Sequence, residues 1–137
     1  MASLAQKLGI RPGYALCLLD AAPGALDLLQ SEAPPGVIFA DTLGAERFDL
    51  IFFWPTTLDG LADRFARLQL AIPADGAVWA VMPKKAFAAQ RGIAFTWEQM
   101  QAAALTTDLV DNKGAAFSEQ DYATRFVIRK DRRARYR

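Results

Sequence analysis

Residues 14–30 read YALCLLDAAPGALDLLQ. Ala15 to Leu19 is apolar at every position. A strand with one wet face would alternate, so an unbroken apolar run points to a strand covered on both sides, as in a parallel sheet between helical layers. From Ala25 onward, Leu26, Leu28 and Leu29 supply the apolar side of a helix, with Pro23 suited to its first turn. Asp20-Ala21-Ala22-Pro23-Gly24 joins the two. Apolar strand, acidic residue, tight bend and helix is the layout of a nucleotide-binding turn. Such a turn normally carries two or three glycines, which let the backbone approach a ligand without a Cβ in the way. Only Gly24 is present, so the stretch settles a strand–turn–helix unit and leaves its ligand in question.

The pattern repeats on either side. Upstream, Ser3-Leu4-Ala5-Gln6 forms a capping box, and Gly9 ends a short helix over residues 4–8. Downstream, Pro34-Pro35-Gly36 breaks the chain before the short strand VIFA (37–40), and LIFFW (50–54) is a further buried strand. Thr56 or Thr57 then caps an amphipathic helix with Leu58, Leu61, Phe65 and Leu68 on one stripe. AVWAVM (77–82) is another buried strand, ended by Pro83. A segment rich in Lys, Ala and Gly leads to a second capping box, Thr96-Trp97-Glu98-Gln99, and a helix to about residue 106. LVDNKGAAF (109–117) and YATRFVIRK (122–130) read as the arms of a β-hairpin. Strands alternating with helices and closed by a hairpin predict an α/β three-layer sandwich. Its sheet has about six strands and is mostly parallel, within a single Rossmann-like domain over residues 1–128.

Bulk properties narrow the function. A chain of 137 residues, 53% hydrophobic and 23% charged, is the size and composition of one globular domain. It has no apolar run long enough to span a bilayer and no visible secretory signal, so no membrane partner is expected. Cys17 is the sole cysteine and lies inside an apolar strand. It reads as a small buried hydrophobe, which suits a reducing cytoplasm. There is no histidine. Ser-His-Asp and Cys-His catalysis are therefore excluded within one chain, and no metal site is expected. The net charge of +1 is uneven, because RKDRRARYR (129–137) holds six basic residues and one acidic, leaving ten basic and fourteen acidic elsewhere.

RPGYALCLLDAAPG resembles the lead-in and first strand of class I S-adenosylmethionine-dependent methyltransferases. RFDLIFFWP resembles their fourth strand, and PADGAVWAVMP their fifth. Pro83-Lys84-Lys85, Leu109-Val110-Asp111-Asn112-Lys113 and Arg125-Phe126-Val127 resemble a family of short, functionally uncharacterised bacterial proteins with a truncated methyltransferase-like fold. The resemblance covers about residues 3–130 and implies the fold, without an activity. It also directs attention to Asp20, Gly24 and Asp41. Asp41 follows the second strand, where an acidic residue would accept from ribose hydroxyls. Against an intact site, Ala21 and Ala22 put methyl groups into the turn and Pro23 removes a donor. Only six residues separate Asp41 from Phe48, where a parallel crossover through a helix takes about a dozen. The second strand is then a short edge piece, displaced or reversed, and the expected cofactor site is vestigial.

Four further features compete for function. Trp54-Pro55 stands where amino-group methyltransferases carry an Asn- or Asp-Pro-Pro-aromatic motif, but it lacks the polar residue and reads as packing. Lys84 and Lys85 lie past the carboxyl end of a central strand and are suited to a small anion, unless one pairs with a neighbour such as Asp20. Asp111 and Lys113, two apart on a strand, are expected on one face, where Lys113 joins that anion site. The basic tail, with Arg132, Arg133, Arg135 and Arg137 and with Tyr136 for stacking, offers a nucleic-acid contact. The leading expectation is a degenerate, non-catalytic methyltransferase-like module without cofactor that holds a small anionic ligand, the balance leaning away from an enzyme. The alternatives are a small enzyme using S-adenosylmethionine or another nucleotide, and an accessory protein brought to nucleic acid by its tail. The sequence sets no oligomeric state, although the edge strand or the hairpin offers a surface for a homodimer.

Overall fold

The computed structural model describes residues 2–137. Six strands form one sheet: β1 (Ala15–Leu19), β2 (Ile38–Ala40), β3 (Leu50–Phe53), β4 (Ala77–Pro83), β5 (Leu109–Ala116) and β6 (Asp121–Ile128), in spatial order β2-β1-β3-β4-β6-β5. The first four are parallel, and β6 runs antiparallel to both β4 and β5. This is the mostly parallel α/β sandwich with a closing hairpin that the apolar runs predict.

Strand side chains alternate between two cores. Leu16, Leu18, Phe52, Trp79 and Val81 face a layer built from α1 (Leu4–Leu8) and α2 (Ala25–Glu32). Cys17, Leu19, Ile51, Phe53, Val78 and Ala80 face α3 (Leu61–Leu68) and α5 (Trp97–Leu105). Both sets are buried, which is why these strands show no polar face. Within the first core Trp79 stacks on Phe52, and its indole N–H donates to the Leu8 carbonyl at 3.1 Å, satisfying a helix-end acceptor. Both predicted capping boxes form, at Ser3/Gln6 and Thr96/Gln99.

Several details differ from the sequence reading. Ala25 donates to the Ala22 carbonyl at 3.0 Å, so Pro23 and Gly24 (φ 83°) form the centre of a tight turn and α2 starts one residue later. Pro23 therefore removes no donor from the helix. Helix α3 begins at Leu61 behind Gly60, while Thr57 accepts from the Asp59 amide in the turn before it. A one-turn helix, α4 (Lys85–Ala88), follows Pro83.

The largest correction concerns β2. It is parallel to β1, pairing Ala15 with Ile38 and Cys17 with Ala40, and is neither reversed nor displaced. Helix α2 is its crossover. The return from β2 to β3 is a strap over residues 41–49 without secondary pairing. Extended chain advances about 3.3–3.6 Å per residue, so a strap this long recrosses the sheet where a helix, rising less than half as fast, would fall short. Phe48 buries its ring in the α3-side core, and the Asp49 carboxylate accepts from the Ala15 amide at 2.8 Å, fastening the strap to the start of β1.

The tail does not extend as an arm. Lys130–Tyr136 forms 3₁₀ turns folded against the sheet, and Tyr136 is buried. Its hydroxyl donates to Asp108 at 2.8 Å, and its carbonyl accepts from Arg47 at 2.7 Å.

Candidate functional site

The carboxyl ends of β1, β2, β3 and β4 lie along one rim of the sheet, because the four strands are parallel. Open sheets of this kind take ligands at that rim. Two clefts and a larger cavity occur there.

The first cleft lies at the ends of β1 and β2. It has a volume of about 520 Å³ and is bordered by Asp20, Ala21, Leu26, Gln30, Phe39 and Asp41. The two carboxylates expected to face a cofactor do come together at one opening. Ala21 borders it without closing it, and a Cβ built on Gly24 would meet no atom within 4 Å. Asp20 has φ 58°, a left-handed conformation unusual for a residue with a side chain, and one that Asp tolerates better than most. Its carboxylate accepts from Arg64 Nη2 at 3.1 Å, and the guanidinium lies 5.0 Å from the Phe53 ring centroid. Arg64, not a lysine at the end of β4, is thus the partner of Asp20. Among the described residues no Lys or Arg lines the opening itself; Arg64 reaches Asp20 from the neighbouring cleft. Cys17, on the opposite face of β1, donates from Sγ to the Thr42 carbonyl at 3.7 Å. Burial, with the Asp41 carboxylate adding to it, pushes the Cys17 thiol up to about 11. A thiol held protonated in this way is a poor nucleophile, as its apolar strand implied.

The second cleft, about 200 Å³, lies between the end of β3 and the start of α3, with Asp20, Trp54, Thr57, Asp59 and Arg64 on its border. Trp54 packs edge-on to Phe117 with ring centroids 5.5 Å apart, as the packing interpretation of Trp54-Pro55 requires. Among the described residues its buried indole Nε1–H has no hydrogen-bond partner.

The larger cavity, about 660 Å³, opens at the end of β4. Lys84 and Lys85 stand on its border, while Met82, Phe95, Trp97 and Tyr122 form apolar walls. Lys113 does not join them. A bulge at Asn112 sets Asp111 opposite Phe126 and Lys113 opposite Arg125, so the two side chains leave on opposite faces. Asp111 accepts from Gln101 of α5 at 3.1 Å, and the Lys113 ammonium lies 5.8 Å from the Trp79 ring centroid in the other layer.

The tail arginines are largely engaged within the fold. Arg132 and Arg135 approach Asp108 at 3.1 and 3.7 Å, and Arg133 donates to the Ile128 carbonyl at 3.1 Å. Arg137 is exposed. Tyr136, whose ring would stack on a base, is instead buried against the α3-side core. Among the described residues no group of three or more His, Cys, Asp or Glu side chains forms a metal site, and no helix is long and apolar enough to cross a membrane.

The sequence reading missed Arg64, Gln30, Phe39 and Tyr122. Arg64 had a signal, an i+3 place after Leu61 on a helix that starts at the rim. The others depend on which strands neighbour one another.

Comparison with known proteins gives the fold its class. No protein-family model matches the chain, and no curated protein does. Solved structures do. The N-methyltransferase NodS from Bradyrhizobium japonicum matches with a TM-score of 0.63 at 13% identity, over 93% of this chain and 91% of that one. A TehB-like SAM-dependent methyltransferase from Corynebacterium glutamicum matches with a TM-score of 0.57 at 14% identity, over 92% and 85%. LepI, solved in complex with SAM, matches with a TM-score of 0.55 at 13% identity, over 92% of this chain and 39% of that one. The fold is methyltransferase-like, the architecture these neighbours share. The expectation that leaned away from an enzyme is thereby corrected. The first two of these neighbours are methyltransferases and point toward catalysis, although at such identities all three establish the architecture alone.

Proposed function

We propose that the chain is a small S-adenosylmethionine-dependent enzyme, with its cofactor in the cleft at the carboxyl ends of β1 and β2. The observation that carries this reading is the pairing of Asp20 and Asp41 across one opening of about 520 Å³ with no basic residue on its border. That volume falls within the range of small-ligand sites, about 300–1,000 Å³. With Asp20 shared with Arg64, Asp41 is the opening's unpaired carboxylate among the described residues; it disfavours a phosphate beside it and favours a ligand with hydroxyls and a positive charge. A sulfonium nucleoside has both. Bound there, it would supply an electrophilic methyl group.

The chain's own residues divide the work. Asp41, directly after β2, accepts from ribose hydroxyls. Phe39 and Leu26 give apolar surface to the base, and Gln30 offers an amide to its edge. Asp20, held by Arg64 through one oxygen, offers its other carboxylate oxygen to the cationic end.

Calorimetry with S-adenosylmethionine and S-adenosylhomocysteine tests the assignment. Both should bind the wild-type chain. Asp41→Asn should bind about ten- to a hundredfold more weakly, the effect of losing a charge-assisted hydrogen bond worth about 1.5–3 kcal/mol. The cationic ligand should lose more than the neutral one when Asp20→Asn is tested. Absence of binding to the wild type, or equal binding by Asp41→Asn, rejects the proposal.

A further inference from the structure

The two main cavities on the rim have opposite electrostatic character. The cleft beside β1 is bordered by two carboxylates, one of them paired with Arg64 from outside it, whereas among the described residues the cavity at the end of β4 has two lysines and no acidic residue on its border. Among the described residues, neither Lys84 nor Lys85 forms an ion pair. Asp121, close by at the start of β6, is already occupied by Arg91 at 2.6 Å. The ammonium charges are therefore uncompensated from within the fold.

The walls are fixed in place. The Trp97 indole donates to Thr124 at 2.8 Å, which anchors its ring, and the Lys84 amide donates to the Gln120 carbonyl at 2.7 Å, which holds the backbone at the lysines. Tyr122 lies across Gly114, where any Cβ would collide with its hydroxyl. Phe95 and Met82 are buried behind them. The result is a half-open apolar chamber of about 660 Å³ with a cationic lip. Sites that bind small molecules are predominantly apolar with a few polar groups to fix orientation. Lysine is a point charge and takes a single anionic head without demanding bidentate geometry.

We propose that this chamber binds an amphipathic carboxylate, with an acyl or aryl body between Trp97, Phe95 and Tyr122 and its carboxylate at Lys84 and Lys85. Such a ligand is ionised at neutral pH, so a chain without histidine needs no base to keep it so. The proposal rests on the methyltransferase reading only in making this ligand the acceptor; the binding itself stands apart from it.

Octanoate, octanol and octylamine serve as probes, titrated into the full chain and followed by calorimetry and tryptophan fluorescence. Octanoate should bind at least about tenfold more tightly than octanol, with octylamine weakest. The double variant Lys84→Gln/Lys85→Gln should lose that tenfold advantage and keep its affinity for octanol. Asp41→Asn should bind octanoate as the wild type does, which separates this test from that of the cofactor cleft. Equal affinity for octanoate and octanol, no octanoate binding, or an unchanged advantage in the double variant overturns the proposal.

Discussion

Arg91 and Asp121 show how one ion pair holds a wall of the rim. Arg91 Nη1 lies 2.6 Å from a carboxylate whose side chain is 7% exposed. Arg91 follows α4, and Asp121 opens β6, so their contact ties the segment between β4 and α5 to the sheet. Removing the cation leaves a buried, unpaired carboxylate, which costs more than the pair itself contributes. Arg91→Met should lower stability by about 2 kcal/mol, read from urea unfolding. The double variant Arg91→Met/Asp121→Leu should recover part of that loss, since no stranded charge remains. If the double variant is less stable than the single one, the pair is contributing net energy and this account of its role fails. The same logic applies to Asp20, but there the carboxylate is exposed and Arg64 only orients it.

At the scale of elements, the bulge in β5 and the strap between β2 and β3 mark where sequence pattern gives out. Asn112 is the extra residue that puts Asp111 and Lys113 on opposite faces. Alternation counted along the chain assumes an uninterrupted ladder, and nothing in LVDNKGAAF announces the interruption. Deleting Asn112 should leave Asp111 on Gln101 and Lys113 over Trp79, because a regular strand gives adjacent residues those same opposite faces. Stability should change by less than about 1 kcal/mol, and amide exchange across β5 should slow. Loss of folding would mean that the bulge bends the edge in a way the sheet requires. Elsewhere the pattern was sufficient. Each strand in the parallel part announced itself as an unbroken apolar run, and both capping boxes formed where Ser3 and Thr96 placed them. Asp20 and Asp41 were legible because the ends of strands are legible. Their shared opening was not, since it depends on β2 lying parallel to β1, and that depends on a strap that carries its residues in extended form. Arg64 and Tyr122 reach the rim from elements distant in sequence, and only the strand order brings them there.

For the whole molecule, the C-terminal segment is a closure of the fold as well as a store of positive charge. Tyr136 is buried between the strap and the sheet, held by Asp108 through its hydroxyl and by Arg47 through its carbonyl. Burial first, and then the hydrogen bond to Asp108, push its phenol up to about 12 from an ordinary value of 10.0. A group that holds its proton more tightly when folded stabilises the native state below its unfolded value, and that stabilisation is lost as pH rises through the folded one. The native chain should therefore exceed Tyr136→Phe in stability by about 1–2 kcal/mol at pH 7 to 9. The advantage should shrink across pH 10 to 12, as the unfolded phenol ionises first and the folded one follows. Cys17, raised to about 11 by burial, weakens both proteins as pH climbs from 9.0. It is common to the two chains and cancels in the difference. Urea unfolding of both, at half-unit steps from pH 8 to pH 12, measures that difference directly. A gap that stays constant to pH 12 would mean that the phenol is not desolvated, and that the tail does not seal the α3-side core.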